Sequence, residues 1–154
     1  MGHAPGARPA HMTLLRRKDE KLDAMKRVPL FARCSRGELE MLSREMDELA
    51  VEAGRRLIEE GRPGQSFYVL LEGEARVSIK GRSRATLRTG DFFGEISMLD
   101  RGPATATVTT TAPCTLMVLS HQQFRDAIRN RQQIAVKVVE AMADRLRQNQ
   151  AAGF

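Results

Sequence analysis

The residues with the clearest chemical meaning lie close together, in Phe93-Gly94-Glu95-Ile96-Ser97-Met98-Leu99 and Gly102-Pro103-Ala104-Thr105-Ala106-Thr107-Val108. Gly90-Asp91 reads as a turn, and Phe92-Phe93 leads into Gly94, where bare backbone can approach a ligand closely. Glu95 to Leu99 is long enough for about one helical turn, whose first amides lack intrahelical partners and favour a phosphate. The Glu95 carboxylate only accepts hydrogen bonds, so it is a poor phosphate contact and a good clamp for sugar hydroxyls. Thr105 adds a hydroxyl on the facing segment. Together these groups suit a sugar phosphate better than a free anion; the plain alternative for a Gly-Glu pair is an ordinary turn. Where such a pocket should set a cation against the anion, the chain has Ala104.

The remaining reactive residues form no second constellation. Cys34 and Cys114, and His3, His11 and His121, are scattered without metal-ligand or nucleophile–base spacing. No metal, no cofactor and no enzymatic activity are therefore expected, and Glu95 reads as a binding residue rather than a general acid. Two ordinary thiols fit a reduced, cytoplasmic protein. No apolar run approaches bilayer length, so no membrane partner is expected. The net charge is +6. Its excess lies toward the two ends, for example Lys18, Lys21, Lys26 and Arg27, then Arg125, Arg129, Arg131, Lys137, Arg145 and Arg147. Acids interleave with these, which reads as solvated helix faces. With no Trp and a single Tyr, Tyr68, the chain lacks the stacking platform of a nucleic-acid surface.

The elements that must position these groups follow from periodicity. With 154 residues, 42% of them hydrophobic, the chain has the size and composition of one domain with a real core. Residues 1–13, rich in Gly, Ala and Pro at their start, read as a flexible tail without the apolar core of a signal peptide. Residues 14–154 read as one domain: a helical segment 14–46, a β-region 47–119 and C-terminal helices 120–149. The first helix, with apolar points Leu15, Leu22 and Met25, ends before Pro29. Ser35-Arg36-Gly37-Glu38 has capping-box spacing, and Leu39, Leu42 and Met46 give the helix that follows one apolar face.

From there the pattern turns to short strands with glycine punctuation. Candidates are 50–53, 56–60, 67–71, 75–80, 84–88, 105–111 and 115–119. Many short strands at close spacing predict a closed sandwich or jelly roll. Ser120 can cap a helix running to Ile128, with Phe124 and Ile128 buried. In Gln132–Gln148, the residues Ile134, Val138, Met142 and Leu146 recur every four residues, an amphipathic face that needs either its own domain or a second copy as a partner.

Taken in order, these features resemble the cyclic nucleotide-binding domain family, that of the bacterial catabolite activator protein and the protein kinase A regulatory subunit. The resemblance covers roughly Val28 to Leu146. It rests on the glycine frame Gly54, Gly61, Gly73 and Gly90, on Phe67-Tyr68-Val69-Leu70, on Gly90-Asp91-Phe92-Phe93-Gly94-Glu95 and on Ala106-Thr107-Val108. It implies a mainly β fold, an eight-stranded β-roll with helices at both ends, and a cyclic nucleotide, cAMP or cGMP, inside it. Glu95 would then hold the ribose 2′-hydroxyl, the amides of Ile96 and Ser97 would meet the cyclic phosphate, and Gly94 would permit the approach. Thr105 and Ala106 would border phosphate and base, and Val77 would lie under the base. The last helix would act as a lid through Ile134, Val138 and Met142, for which ordinary helix packing is the alternative.

One position departs from the family. Its motif has an arginine between the proline and the small residue, and this chain reads Pro103-Ala104-Thr105-Ala106. Losing one charge-assisted contact costs about 1.5–3 kcal/mol, roughly tenfold to over a hundredfold in affinity. Arg101, Arg84 and Arg88 are the cations that could stand in; the alternative for each is a solvated surface arginine.

The expected function is a small regulatory module that couples ligand occupancy to its C-terminal helix. The competing expectation is a degenerate domain that binds no nucleotide and serves protein contacts or self-association, as a homodimer or against an effector. A DNA-reading helix-turn-helix would have to follow the last helix, and none is read before Phe154, so nucleic acid is not an expected partner.

Overall fold

The computed structural model describes the backbone of residues 10–151 and the side chains of residues 18–148. Helix α1 (Ala10–Arg27) begins four residues before the sequence pattern predicts. Of the expected tail, residues 1–9 lie outside the described residues, as does the side chain of Leu15. Val28 is extended (φ −71°, ψ 119°) and Pro29–Phe31 form a 3-10 turn, as expected where a proline excludes helical geometry from the residue before it. Helix α2 (Arg36–Arg44) opens with the expected capping box. The Ser35 hydroxyl accepts from the Glu38 amide at 3.2 Å, and the Ser35 amide donates to the Glu38 carboxylate at 2.8 Å.

Eight strands follow: β1 (Asp47–Val51), β2 (Arg56–Ile58), β3 (Ser66–Glu72), β4 (Ala75–Ile79), β5 (Arg82–Leu87), β6 (Phe92–Phe93), β7 (Thr107–Thr110) and β8 (Cys114–Ser120). Helix α3 (Glu95–Asp100) interrupts them, and α4 (His121–Arg129) and α5 (Gln132–Ala151) close the chain. The strands form two antiparallel four-stranded sheets, ordered β1-β8-β3-β6 and β2-β7-β4-β5. This is the β-roll with flanking helices that the resemblance implied. Two details were not legible. Strand β1 starts at Asp47 because its ladder with β8 runs from Asp47–Val118 to Val51–Cys114. Phe92–Phe93 is a strand because it pairs with Tyr68 and Val69.

Strand β3 is covered on both faces. Phe67, Val69 and Leu71 join Met117 and Leu119 of β8 in a core shared with Leu22, Met25, Phe31, Leu39, Leu42 and Phe124 of the helices. The alternate residues Tyr68 and Leu70 belong to a second core inside the roll, with Ala75, Val77, Phe93, Val108 and Leu116. Phe67 is fully buried and meets Phe31 edge to face at 5.7 Å.

Helix α5 takes the first of the two partners its apolar stripe allowed, its own domain. Ile134 and Val138 are buried in the helical core, with Met142 packed against it, so three of the four residues of the row are covered by the domain itself. Leu146, the last member of the row, is exposed (62%), and among the described residues of α5 Val136 (55%) and Val139 (67%) are exposed beside the buried row. Polar contacts fasten α5 to the N-terminal helices. Arg33 grips Asp144 with two bonds, at 2.8 and 2.9 Å, and lies 3.5 Å from Glu140. Lys137 donates to Glu38 at 2.6 Å, so the residue that closes the α2 capping box also receives α5. Burial pushes the Glu38 carboxyl up, but the bonds from Lys137 and from the Ser35 amide and hydroxyl outweigh it and hold it below its ordinary value. Burial pushes the neighbouring Cys34 thiol up to about 11, consistent with an unreactive structural cysteine.

Two expectations test this architecture. Phe67→Ala removes the largest fully buried side chain of β3 from a sealed site and should cost about 3–5 kcal/mol in urea unfolding. Lys137→Met should lower the unfolding midpoint near neutral pH. Because the folded state holds the Glu38 carboxyl below its ordinary 4.5, the stabilisation is full above that value and fades as pH falls through the lower folded-state value. The gap between wild type and Lys137→Met should therefore narrow in acid, as read by urea midpoints across a pH series.

Candidate functional site

The β6–α3 junction is set by one backbone constraint. Gly94 is left-handed (φ 85°, ψ 5°) and N-caps α3 without a side-chain bond. A β-carbon there would collide with the Ser66 carbonyl of β3 and crowd the Ile58 side chain. Helix α3 is then anchored from below by Met98, which is fully buried in the helical core. The Met98 carbonyl accepts from Nδ1 of His121 at 2.7 Å, tying α3 to the start of α4. With its far end fastened, α3 presents its first turn to the interior of the roll. Among the described residues, the amides of Glu95, Ile96 and Ser97 have no carbonyl partner.

The facing wall is built by two loops bound to each other. Gly64 donates to the Gly102 carbonyl at 3.0 Å, Ala104 donates to the Arg62 carbonyl at 2.8 Å, and Gly61 donates to the Ala104 carbonyl at 2.8 Å. Gly64 lies directly against Ser97, whose β-carbon and hydroxyl occupy the space a side chain at 64 would need. Gly61 counts in the sequence as one of the frame glycines; in the fold the whole segment Gly61-Arg62-Pro63-Gly64 carries the Ala104 loop and abuts the first turn of α3. The Thr107 hydroxyl accepts from the Glu60 amide at 3.0 Å, which fixes the start of β7.

Between these walls lies a cavity of about 350 Å³. It brings together every ligand-binding residue named from the sequence: Val77 from β4, Gly94, Glu95, Ile96 and Ser97 from the α3 junction, and Thr105 and Ala106 before β7. Ile58, Leu87, Phe92, Phe93, Ala104 and Val108 also line it, and sequence reasoning did not name them as ligand contacts. Strand alternation was the available signal for Leu87 and Val108, since each pairs or packs with inward-facing neighbours of Val77. Phe93 is steadied by Tyr68, stacked on it at 4.9 Å and 11°.

Glu95 is the one charged side chain on this lining among the described residues. Among the described residues its carboxylate has no hydrogen-bond or ion-pair partner. Ala104 is 8% exposed and part of the wall, with both its backbone groups already used.

The three arginines considered as substitutes do not line the cavity. Arg84 is the extra residue of a bulge, since Val77 pairs with Ala85 and Ser78 with Ser83, and it is exposed. Arg88 reaches Glu74 at 3.9 Å. Arg101 ends α3 in a left-handed conformation (φ 57°) and is exposed. The lid residues are likewise elsewhere: Ile134, Val138 and Met142 are occupied by the helical core, so in this arrangement α5 does not close the cavity. Among the described residues no group of three His, Cys, Asp or Glu side chains is placed to hold a metal, and no helix is long and apolar enough to cross a membrane.

The site can enclose a flat apolar body between Ile58, Val77, Leu87 and Val108 and hold hydroxyl donors on Glu95. It can also donate hydrogen bonds from the α3 amides, Ser97 and Thr105. The family model described as "Cyclic nucleotide-binding domain" matches residues 48–131. A cAMP-dependent protein kinase regulatory subunit from Yarrowia lipolytica is 36% identical over 103 residues, 66% of this chain and 28% of that protein. The chain spans about a quarter to a third of the length of that protein and of similar curated relatives.

Among solved structures, the N-terminal domain of a transcriptional regulator from Streptomyces coelicolor A3(2) superposes with a TM-score of 0.77 at 30% identity, covering 84% of this chain and 96% of that one. The regulatory domain of Toxoplasma gondii PKA, solved with cAMP, gives a TM-score of 0.63 at 30% identity, covering 77% and 49%.

The glycine geometry is testable without a ligand. Gly64→Ala and Gly94→Ala should each destabilise the fold by about 1–3 kcal/mol, because a β-carbon is forced into a filled site. In both variants the amide resonances of Ile96 and Ser97 should shift more than those of β1. Unchanged stability and spectra in both would show that the α3 junction tolerates the added atom and is not set by these contacts.

Proposed function

The chain belongs to the cyclic nucleotide-binding domain family, and on that footing we propose that it is a regulatory module binding cAMP or cGMP in the roll cavity. The observation that carries this reading is the convergence of Val77, Gly94–Ser97 and Thr105–Ala106, from three separate segments, on one cavity. In the bound state Glu95 accepts from the ribose hydroxyls, the α3 amides face the cyclic phosphate, and the apolar strands take the base. The phosphate is held by neutral donors only, so binding is weak compared with a site that supplies a cation.

Occupancy reaches the helices through α3. Glu95 and Ser97 touch the cavity while Met98 lies in the same buried cluster as Ile134 and Val138 of α5. A ligand that draws the first turn of α3 inward biases that cluster, and α5 responds to the extent that ligand affinity differs between its arrangements. We read the module as non-catalytic and cytoplasmic, with the exposed Val136, Val139 and Leu146 as the face through which α5 meets an effector or a second copy.

Isothermal titration tests the reading. Wild type should bind cAMP or cGMP in about the high-micromolar to millimolar range. Ala104→Arg, which extends a guanidinium from the cavity wall, should tighten binding by about tenfold to a hundredfold. Glu95→Ala should weaken it in both backgrounds. If neither wild type nor Ala104→Arg binds a cyclic nucleotide, the reading fails.

A further inference from the structure

The charge inside the cavity points to a narrower ligand class. Among the described residues the lining carries one formal charge, the Glu95 carboxylate, and no cation. That carboxylate has no partner among the described residues. Ala104 faces the cavity from a loop whose backbone is bonded on both sides, so the wall beside it is apolar and fixed. Arg84, Arg88 and Arg101 are all on the outside. An anion entering this space gives up water, gains no counter-charge and shares the cavity with a carboxylate of the same sign. A neutral ligand carrying hydroxyl donors avoids the desolvation of a full charge and the like-charge repulsion, and its hydroxyls satisfy Glu95.

We propose that the cavity is selective for the uncharged nucleoside, and that the phosphate of a cyclic nucleotide adds nothing to recognition in this chain. The inference rests on the reading of the cavity as a nucleotide-family site and narrows its ligand. Glu95 clamps the ribose hydroxyls, the base lies among Ile58, Val77, Leu87 and Val108, and the Ser97 and Thr105 hydroxyls complete a polar rim of neutral groups. The α3 amides can donate to a neutral hydroxyl oxygen as well as to a phosphate oxygen; they favour the anion, but with no cation at position 104 that preference is set against the anion's desolvation and the like charge of Glu95. Ala104 is thus a specificity-determining position: a methyl group there removes the attraction that would favour the anion.

The experiment is a calorimetric titration of the full chain, wild type and Ala104→Arg, with adenosine, guanosine, cAMP and cGMP, repeated at low and high salt. Wild type should bind a nucleoside at least as tightly as its cyclic monophosphate, with an affinity insensitive to salt. In Ala104→Arg the order should reverse, the cyclic monophosphate gaining about tenfold or more while the nucleoside gains nothing. A wild-type preference of about tenfold or more for the cyclic monophosphate would overturn the proposal and leave the cyclic nucleotide reading intact. Binding of cyclic monophosphate by Ala104→Arg alone, with wild type binding neither class, would also overturn it and mark the natural cavity as vestigial. Silence from both proteins toward all four compounds would remove the nucleotide reading itself.

Discussion

Burial of β3 on both faces is the constraint from which the rest of the molecule follows. One face of that strand, Phe67, Val69 and Leu71, is the floor on which the helices rest. The other, Tyr68 and Leu70, is the ceiling of the roll interior. The carbonyl of Ser66, its first residue, sits where a β-carbon on Gly94 would have to go, and so dictates a glycine at the entrance to α3. Its partner β6 holds Phe93 under the Tyr68 ring. A strand with two buried faces cannot slip by one residue without exchanging its two apolar rows between two cores of different shape. That rigidity lets a helix of six residues hold its first amides open toward a cavity.

The electrostatics divide in the same way. On the helical side, cations are matched: Arg33 with Asp144 and Glu140, Lys137 with Glu38, Lys18 with Glu40. These are mostly exposed pairs whose individual contribution is small, but Lys137–Glu38 is half-sheltered and shares its carboxylate with a helix cap. On the roll side the interior is apolar, with a single carboxylate and neutral donors. The net positive charge of the chain therefore says nothing about the cavity. The excess cations lie on solvated surfaces, where water and salt screen them from the interior.

Much of the site was legible because its chemistry is local. Gly94, Glu95, Ile96 and Ser97 are consecutive, and a glycine before a short helical turn has a limited set of uses. Ser35–Glu38 was legible for the same reason, a capping box being a four-residue motif. Ser120 was read as a cap, and the structure adds Gln123 as the other half of its box. What was not legible depends on distant pairing. Strand β6 is two residues long and exists only because Tyr68 and Val69 are opposite it. Gly64 is a glycine because Ser97, thirty-three residues on, fills the neighbouring space.

By itself the sequence determined a closed arrangement of short strands with flanking helices, which its family resemblance made a β-roll, the glycine-led turn at the α3 junction and the absence of a cation at position 104. These are properties of residue type and short-range spacing. The tertiary structure decided which face of α5 is buried. The period of Ile134, Val138 and Met142 specifies an apolar face but not its partner, and only the folded helical core provides the surface that takes it. It likewise decided that Arg84, Arg88 and Arg101 stay outside the cavity. A side chain's direction there is set by a bulge, an ion pair and a left-handed helix end, none of which proximity along the chain can reveal.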